Sequence, residues 1–185
     1  MRIAVIGSST GGPYILEKIF TNFPKIPAAI IIVQHLPLAF TKTFQTHISS
    51  LTSMAVNVAS SGYSLHEGEI LIAPSGKHLV LDHNRRVLLQ DGEKVHGVKP
   101  AIDCTMLSLH SFTEDRLCGI VLTGMGQDGA AGVAHIRNLG GTTIAQDPGT
   151  SPIRSMPQAA IDTGKVLEVL APEGIRQALI SFGNF

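Results

Sequence analysis

Three side chains able to share acyl-transfer chemistry stand at the ends of three apolar runs. RIAVI breaks into GSSTGG, which holds Ser9; AAIIIVQ is followed at once by His35; and CGIVLT leads into GMGQDGAAG, which holds Asp128. A hydroxyl, an imidazole and a carboxylate are the parts of a nucleophile, its base and the group that orients the base, a set recognised by geometry rather than by chain order. Residues 7–11 also fit Gly-x-Ser-x-Gly, as Gly7, Ser8, Ser9, Thr10 and Gly11. Glycines on both sides of a serine permit a sharp strand-to-helix turn that exposes its hydroxyl and aims the following N–H groups at a developing oxyanion.

Each piece also has a plainer use. GSSTGG suits a glycine-rich turn, or a phosphate cradle at a helix N-terminus. Against a Rossmann-like nucleotide-binding protein, Ser9 stands where Gly-x-Gly-x-x-Gly needs its second glycine, no Lys-Ser/Thr pair follows, and the second strand ends in Gln34 and His35 rather than a ribose-binding acid. Asp128 on a second glycine-rich loop would repel phosphate as well. His35 is one of eight histidines. His47, His110 and His135 fall within helical patterns and His66, His78, His83 and His96 in loops or at strand starts; only His35 closes a fully apolar strand, with Pro37 to fix the loop. Asp128 is equally suited to cap the helix that begins GAAGVAHI.

The elements that must bring the three together alternate as βαβα, the pattern of a parallel sheet covered on both faces. In such a sheet ligands bind beyond the carboxyl ends of the strands, near the reversal in strand order. After RIAVI, Pro13 suits a first helical turn, and Ile15, Leu16, Ile19, Phe20 and Phe23 make one apolar stripe that ends near Pro24. Phe40, Phe44, Ile48 and Leu51 repeat at helical spacing after the second strand. The pattern pauses in the middle, where VNVAS and GEILIAP precede HLVLD and RVLLQ, an antiparallel hairpin around Asn84. A helix from about Ala101 to Phe112 resumes it, followed by CGIVLT, the helix AAGVAHIRNLG, TTIAQ, the helix PQAAIDTG, VLEVL and a last helix to Phe182. Gly140 and Gly164 sit where helix C-caps belong. The expected fold is three-layer α/β/α, a doubly wound, mostly parallel sheet with an antiparallel strand pair.

Bulk properties narrow the function. The chain has 185 residues, 44% hydrophobic and 15% charged, with 14 basic and 14 acidic side chains. One domain over residues 1–185 follows from that length. Scattered, balanced charge argues against nucleic acid or an anionic membrane as partner. IPAAIIIV is too short to span a bilayer and the N-terminus lacks signal-peptide order, so a cytoplasmic protein without membrane insertion is expected. Cys104 and Cys118 lie in apolar surroundings without metal-ligand spacing and read as buried free thiols.

At these residues the sequence resembles a known family. IGSSTGGP, VQHLPLAFTKTF, GEILIAPSGKH, VHGVKPAIDC, VLTGMGQDGAAG, TIAQDPGTS and MPQAAIDTGKV, in that order, are similar to the catalytic domain of the chemotaxis protein-glutamate methylesterases, the CheB family. The resemblance implies a cytoplasmic serine hydrolase that demethylates glutamate γ-methyl esters on chemoreceptor helices and also deamidates receptor glutamines. Its triad falls on Ser9, His35 and Asp128, the residues chosen from the strand ends. Backbone N–H groups near Thr10 and Met125 are then the expected oxyanion donors, and His96, Lys99 and Asp103 in the loop HGVKPAID are candidates to line an open groove for a receptor helix. A turn followed by a helix cap is the bland use of that loop. No metal and no cofactor is expected. Much of the family carries a receiver domain ahead of the catalytic one and works within a chemotaxis kinase pathway; this chain begins almost at its first core strand, as an excised catalytic domain or a natural stand-alone form, and phosphorylation control is not assigned to it. Leu38, Ala39 and Ser155 depart from the family pattern in loops that shape the groove. A receptor-binding module without turnover is the remaining alternative.

Overall fold

The computed structural model describes residues 1–110 and 115–184. Its main sheet holds β1 (Arg2–Ser8), β2 (Ala29–Gln34), β3 (Ala55–Val58), β4 (Glu69–Ile72), β7 (Arg116–Val121), β8 (Thr142–Gln146) and β9 (Glu168–Leu170), while β5 (His78–Leu81) and β6 (Val87–Gln90) pair separately. The order is β3-β4-β2-β1-β7-β8-β9 and every pairing within it is parallel. The chain steps from β1 to β2, out to the edge at β3 and back inward to β4, then crosses to the other side of β1 and winds outward through β7, β8 and β9. That reversal opens a crevice beside the carboxyl end of β1.

Side chains alternate across the sheet and feed two cores. Ala4, Ile6, Ile30, Ile32, Ile70, Ile72 and Ile120 pack under α1 (Gly12–Phe20), α2 (Thr41–Leu51) and α6 (Pro172–Asn184). Ile3, Val5, Ile31, Val33, Leu71 and Val121 pack under α3 (Ile102–Leu107), α4 (Ala130–Asn138), α5 (Ser155–Asp162) and the β5–β6 pair. Burial on both faces explains why β1 and β2 are apolar throughout, and each fully buried Ile or Leu contributes about 1.5–3 kcal/mol. The three-layer, doubly wound architecture is the one the alternation predicts, and its antiparallel pair is the hairpin around Asn84. No described helix is long and apolar enough to cross a membrane.

Several boundaries differ from the sequence reading. The parallel pattern does not pause at VNVAS and GEILIAP, for β3 and β4 join the sheet. The helix expected to reach Phe112 ends at Leu107, where the Ser108 hydroxyl folds back on the Thr105 carbonyl at 2.7 Å and accepts the N–H of Leu81. Phe112 itself lies outside the described residues. His110 is therefore beyond the helix, with its ring stacked on that of His83 at 4.3 Å. Phe40, expected in the apolar stripe of α2, ends a preceding 3-10 turn (Leu38–Phe40) and is exposed. Cys118 is buried, its thiol pushed up to about 12 by desolvation, but Cys104 is only half-buried.

Candidate active site

Ser9, His35 and Asp128 all lie at the carboxyl edge of the sheet, each in the loop that leaves a central strand. The ends of β1, β2, β7 and β8 carry buried polar residues instead of apolar ones: Ser8, Gln34, Thr123 and Gln146. These knit the loops together. The Ser8 hydroxyl donates to Gln34 Oε1 at 2.6 Å, and Gln34 Nε2 donates to the carbonyls of Ser9 at 2.9 Å and His35 at 3.0 Å. The N–H of His35 donates to the Ser8 carbonyl, and that of Ser9 to the Thr123 carbonyl. Thr123 Oγ1 lies 3.0 Å from the Thr10 carbonyl oxygen and accepts the N–H of Ile153 at 2.9 Å. The serine turn is thus pinned from both neighbouring strands.

Two glycines make that turn possible. Gly11 precedes α1 with φ of 81°, a left-handed conformation that a Cβ disfavours. Gly124 lets the β7 loop approach Ser9, since a Cβ there would stand 2.6 Å from Ser9 Cβ and would also meet the Met156 sulfur.

His35 Nε2 lies 2.8 Å from Asp128 Oδ2, with the two side chains 10% and 3% exposed. A carboxylate only accepts, so this contact fixes the ring proton on Nε2 and leaves Nδ1 as the basic nitrogen. Asp128 Oδ2 also accepts the N–H of Ile102 at 2.7 Å, and Oδ1 that of Asp103 at 2.9 Å. Burial pushes the Asp128 carboxyl up, but the His35 bond, the two backbone N–H groups and the nearby imidazole together hold it below the usual carboxylate range. Asp128 does not cap α4 as the sequence suggested; its carboxylate caps α3. Asp103, within α3, caps α4 in return, accepting the N–H groups of Gly129 at 3.0 Å and Gly132 at 2.7 Å. Each helix N-terminus is satisfied by a carboxylate from the other segment, which locks the Asp128 loop onto α3.

The other predicted residues fall at different depths. Thr10 and Met125 are exposed, and among the described residues neither backbone N–H donates to a protein acceptor. The Ser155 hydroxyl donates to the Gly124 carbonyl at 3.0 Å and accepts the Gly126 N–H at 3.1 Å, so it braces the loop on both sides of Met125. Lys99 lines a cleft of about 250 Å³ beside His35, with Leu36, Lys94, Gly97, Val98 and Pro100. Asp103 does not line it; it is buried, with both oxygens engaged, Oδ2 lying 2.8 Å from His96 Nε2. Among the described residues Ser9 Oγ makes no hydrogen bond to His35, the looser geometry common to serine sites without substrate. A larger hollow of about 570 Å³ opens at the opposite edge of the sheet, among Arg116, Gly141, Glu168 and Phe182, and holds none of the three side chains. Sequence reasoning missed Thr123 and Gln34; the visible signal was a polar residue ending an otherwise apolar strand.

A doubly wound α/β fold, with a serine turn and a His–carboxylate pair on its carboxyl edge, defines a class arranged for acyl transfer. The chain belongs to the CheB methylesterase family, whose model matches residues 4–179. It is 40% identical over 179 residues to a protein-glutamate methylesterase/protein-glutamine glutaminase of Symbiobacterium thermophilum, covering 96% of this chain and 49% of that protein. A protein of the same description from Pyrococcus horikoshii is 42% identical over 184 residues, covering 97% and 50%. The chain thus spans about half the length of these curated relatives. The crystal structure of the Thermotoga maritima CheB methylesterase catalytic domain matches with a TM-score of 0.91 at 37% identity, covering 97% of each chain.

Proposed function

We propose that this chain is a cytoplasmic serine hydrolase that demethylates glutamate γ-methyl esters on the helices of chemoreceptors and deamidates receptor glutamines. The observation that carries the reading is the buried His35–Asp128 pair at the strand end next to the Ser9 turn, in a chain of the CheB methylesterase family. Ser9 Oγ attacks the ester carbonyl while His35 Nδ1 takes its proton, and Asp128 holds the ring and balances the imidazolium. The unspent N–H groups of Thr10 and Met125 receive the oxyanion, a donor of this kind being worth about 3 kcal/mol. His35 returns the proton to the departing methanol, or to ammonia from a glutamine, and then activates the water that frees the carboxylate. The family match supports this over a dinucleotide cradle.

The test is methanol release from methylated receptor membranes. Ser9→Ala is expected to reduce release to background, and a fluorophosphonate to label Ser9 in the parent but nothing in the variant. Unchanged release by Ser9→Ala would overturn the assignment, and receptor binding with no release by the parent would favour a binding module.

A further inference from the structure

The loop between β6 and α3 returns toward the site as a tight turn. Val95 and Val98 exchange both backbone hydrogen bonds, at 3.1 and 3.0 Å, and the two residues between them, His96 and Gly97, have φ of 53° and 77°. Positive φ at both central residues marks a hairpin-type turn, which glycine accepts freely and histidine takes uncommonly. What this turn achieves is the approach of the His96 ring to Asp103. The pair is 30% and 4% exposed, so a half-exposed imidazole covers a buried carboxylate.

Asp103 grips the Asp128 segment from two sides. Its N–H donates to Asp128 Oδ1, while its own Oδ1 accepts from Gly129 and Gly132, just beyond Asp128. His96, Asp103 and Asp128 also present polar atoms within 4.8 Å of one another. Two carboxylates this close repel when both are ionised, so each needs its own donors. Asp128 has His35 and two backbone N–H groups. Asp103 has two N–H groups and His96.

We infer that His96 is a positioning residue: by holding the Asp103 carboxylate against the N–H groups of Gly129 and Gly132, it keeps Asp128 where His35 requires it. This rests on the reading of His35 as the base of a serine hydrolase. It also separates His96 from the substrate contact that its loop suggested, because the cleft beside His35 is lined by its neighbours Lys94, Gly97, Val98 and Lys99 and not by His96.

The experiment measures steady-state methanol release for His96→Leu, His96→Gln, Asp103→Asn and the double variant His96→Leu/Asp103→Asn, with melting curves. The proton NMR signal of the His35 Nε2–H is followed in the same His96 substitutions built on Ser9→Ala. His96→Leu is expected to lower kcat about tenfold with KM within about twofold, the size of coupling found in shared hydrogen-bond networks. His96→Gln keeps an N–H donor and should retain kcat within about threefold of the parent. The double variant should be no worse than Asp103→Asn alone, since without the carboxylate His96 has nothing to hold. The ring-proton signal should move with His96→Leu and return with His96→Gln. A raised KM at unchanged kcat would make His96 a substrate contact and overturn the proposal, as would losses that multiply in the double variant or a ring signal indifferent to His96. Should Asp103→Asn fail to fold, the two His96 variants and the ring signal decide alone. Because that signal is read without turnover, a hydrolase reading that failed at Ser9→Ala would be told apart from a positioning role that failed.

Discussion

Replacing Asp128 by asparagine probes the site through the residue that gathers most of its donors. Its carboxylate receives His35 Nε2 at 2.8 Å and the Ile102 N–H at 2.7 Å on one oxygen, and the Asp103 N–H at 2.9 Å on the other. Asparagine offers one acceptor oxygen and one NH2 group. With its oxygen toward His35 and Ile102, the NH2 faces the Asp103 N–H, donor against donor, at a cost of about 2 kcal/mol. For a chain of this size that lowers Tm by about 4–8 °C. Turned over, the NH2 faces His35, which can accept only by moving its proton to Nδ1, and a ring protonated there cannot take the proton of Ser9. Either way the imidazolium formed during attack loses its counter-charge. The expected fall in kcat is about 10⁴-fold, equivalent to about 5 kcal/mol of barrier. Methanol release over extended times measures it, with near-UV circular dichroism to establish that the variant is folded. A folded Asp128→Asn that retains kcat within about tenfold of the parent would refute the reasoning, because an effect that small needs no specific tautomer.

Two further outcomes follow from the structure. Asp115 has Oδ1 at 2.9 Å from the amino-terminal nitrogen and is held by Arg85 at 2.7 and 2.8 Å; burial pushes its carboxyl up, but these partners outweigh burial and hold it below the usual range, as donors do for Asp128. A carboxyl lowered in the folded state contributes stability above its unfolded pKa of about 4 and loses it as pH falls through the folded value, so the urea midpoint should drop below about pH 4 and the drop should shrink in Asp115→Asn; a midpoint flat down to pH 3 would contradict the sign. Gly124→Ala places a Cβ against the Met156 sulfur and 2.6 Å from Ser9 Cβ, so it should cost about 1–3 kcal/mol in urea unfolding and at least tenfold in kcat, and a variant with parental activity would show that the proposed role of Ser9 does not depend on this close approach.

Much of the fold was legible because burial on both faces leaves a plain mark: strands such as AIIIVQ contain no polar residue until the last position. What the sequence concealed lies where local preference yields to distant partners. β1 runs on to Ser8, whose hydroxyl finds Gln34 across the sheet, and α3 stops at Leu107, where the Ser108 hydroxyl takes the N–H of Leu81 from β5. Apolar periodicity reports neither event, since both are decided by one hydrogen bond between parts of the chain that do not share a pattern.

The three site residues could be proposed from strand ends, but the partners that fix them could not, and the two helix caps show why. An aspartate just before an apolar helical pattern is expected to cap that helix, and both Asp128 and Asp103 invite that local reading. In the fold each carboxylate serves the helix of the other segment. A local cap would stabilise α4 alone and leave Asp128 free to turn with its loop. Exchange makes the orientation of Asp128 conditional on α3, α3 conditional on the β7 loop, and both conditional on the sheet that carries Ser9 and His35. The orienting carboxylate is thereby held by the tertiary structure as a whole, which matters because a hydrogen-bonded ring tolerates little misplacement when it must serve as base toward a second residue. On this account His96 belongs to the same device as Asp128 even though it lies outside the crevice.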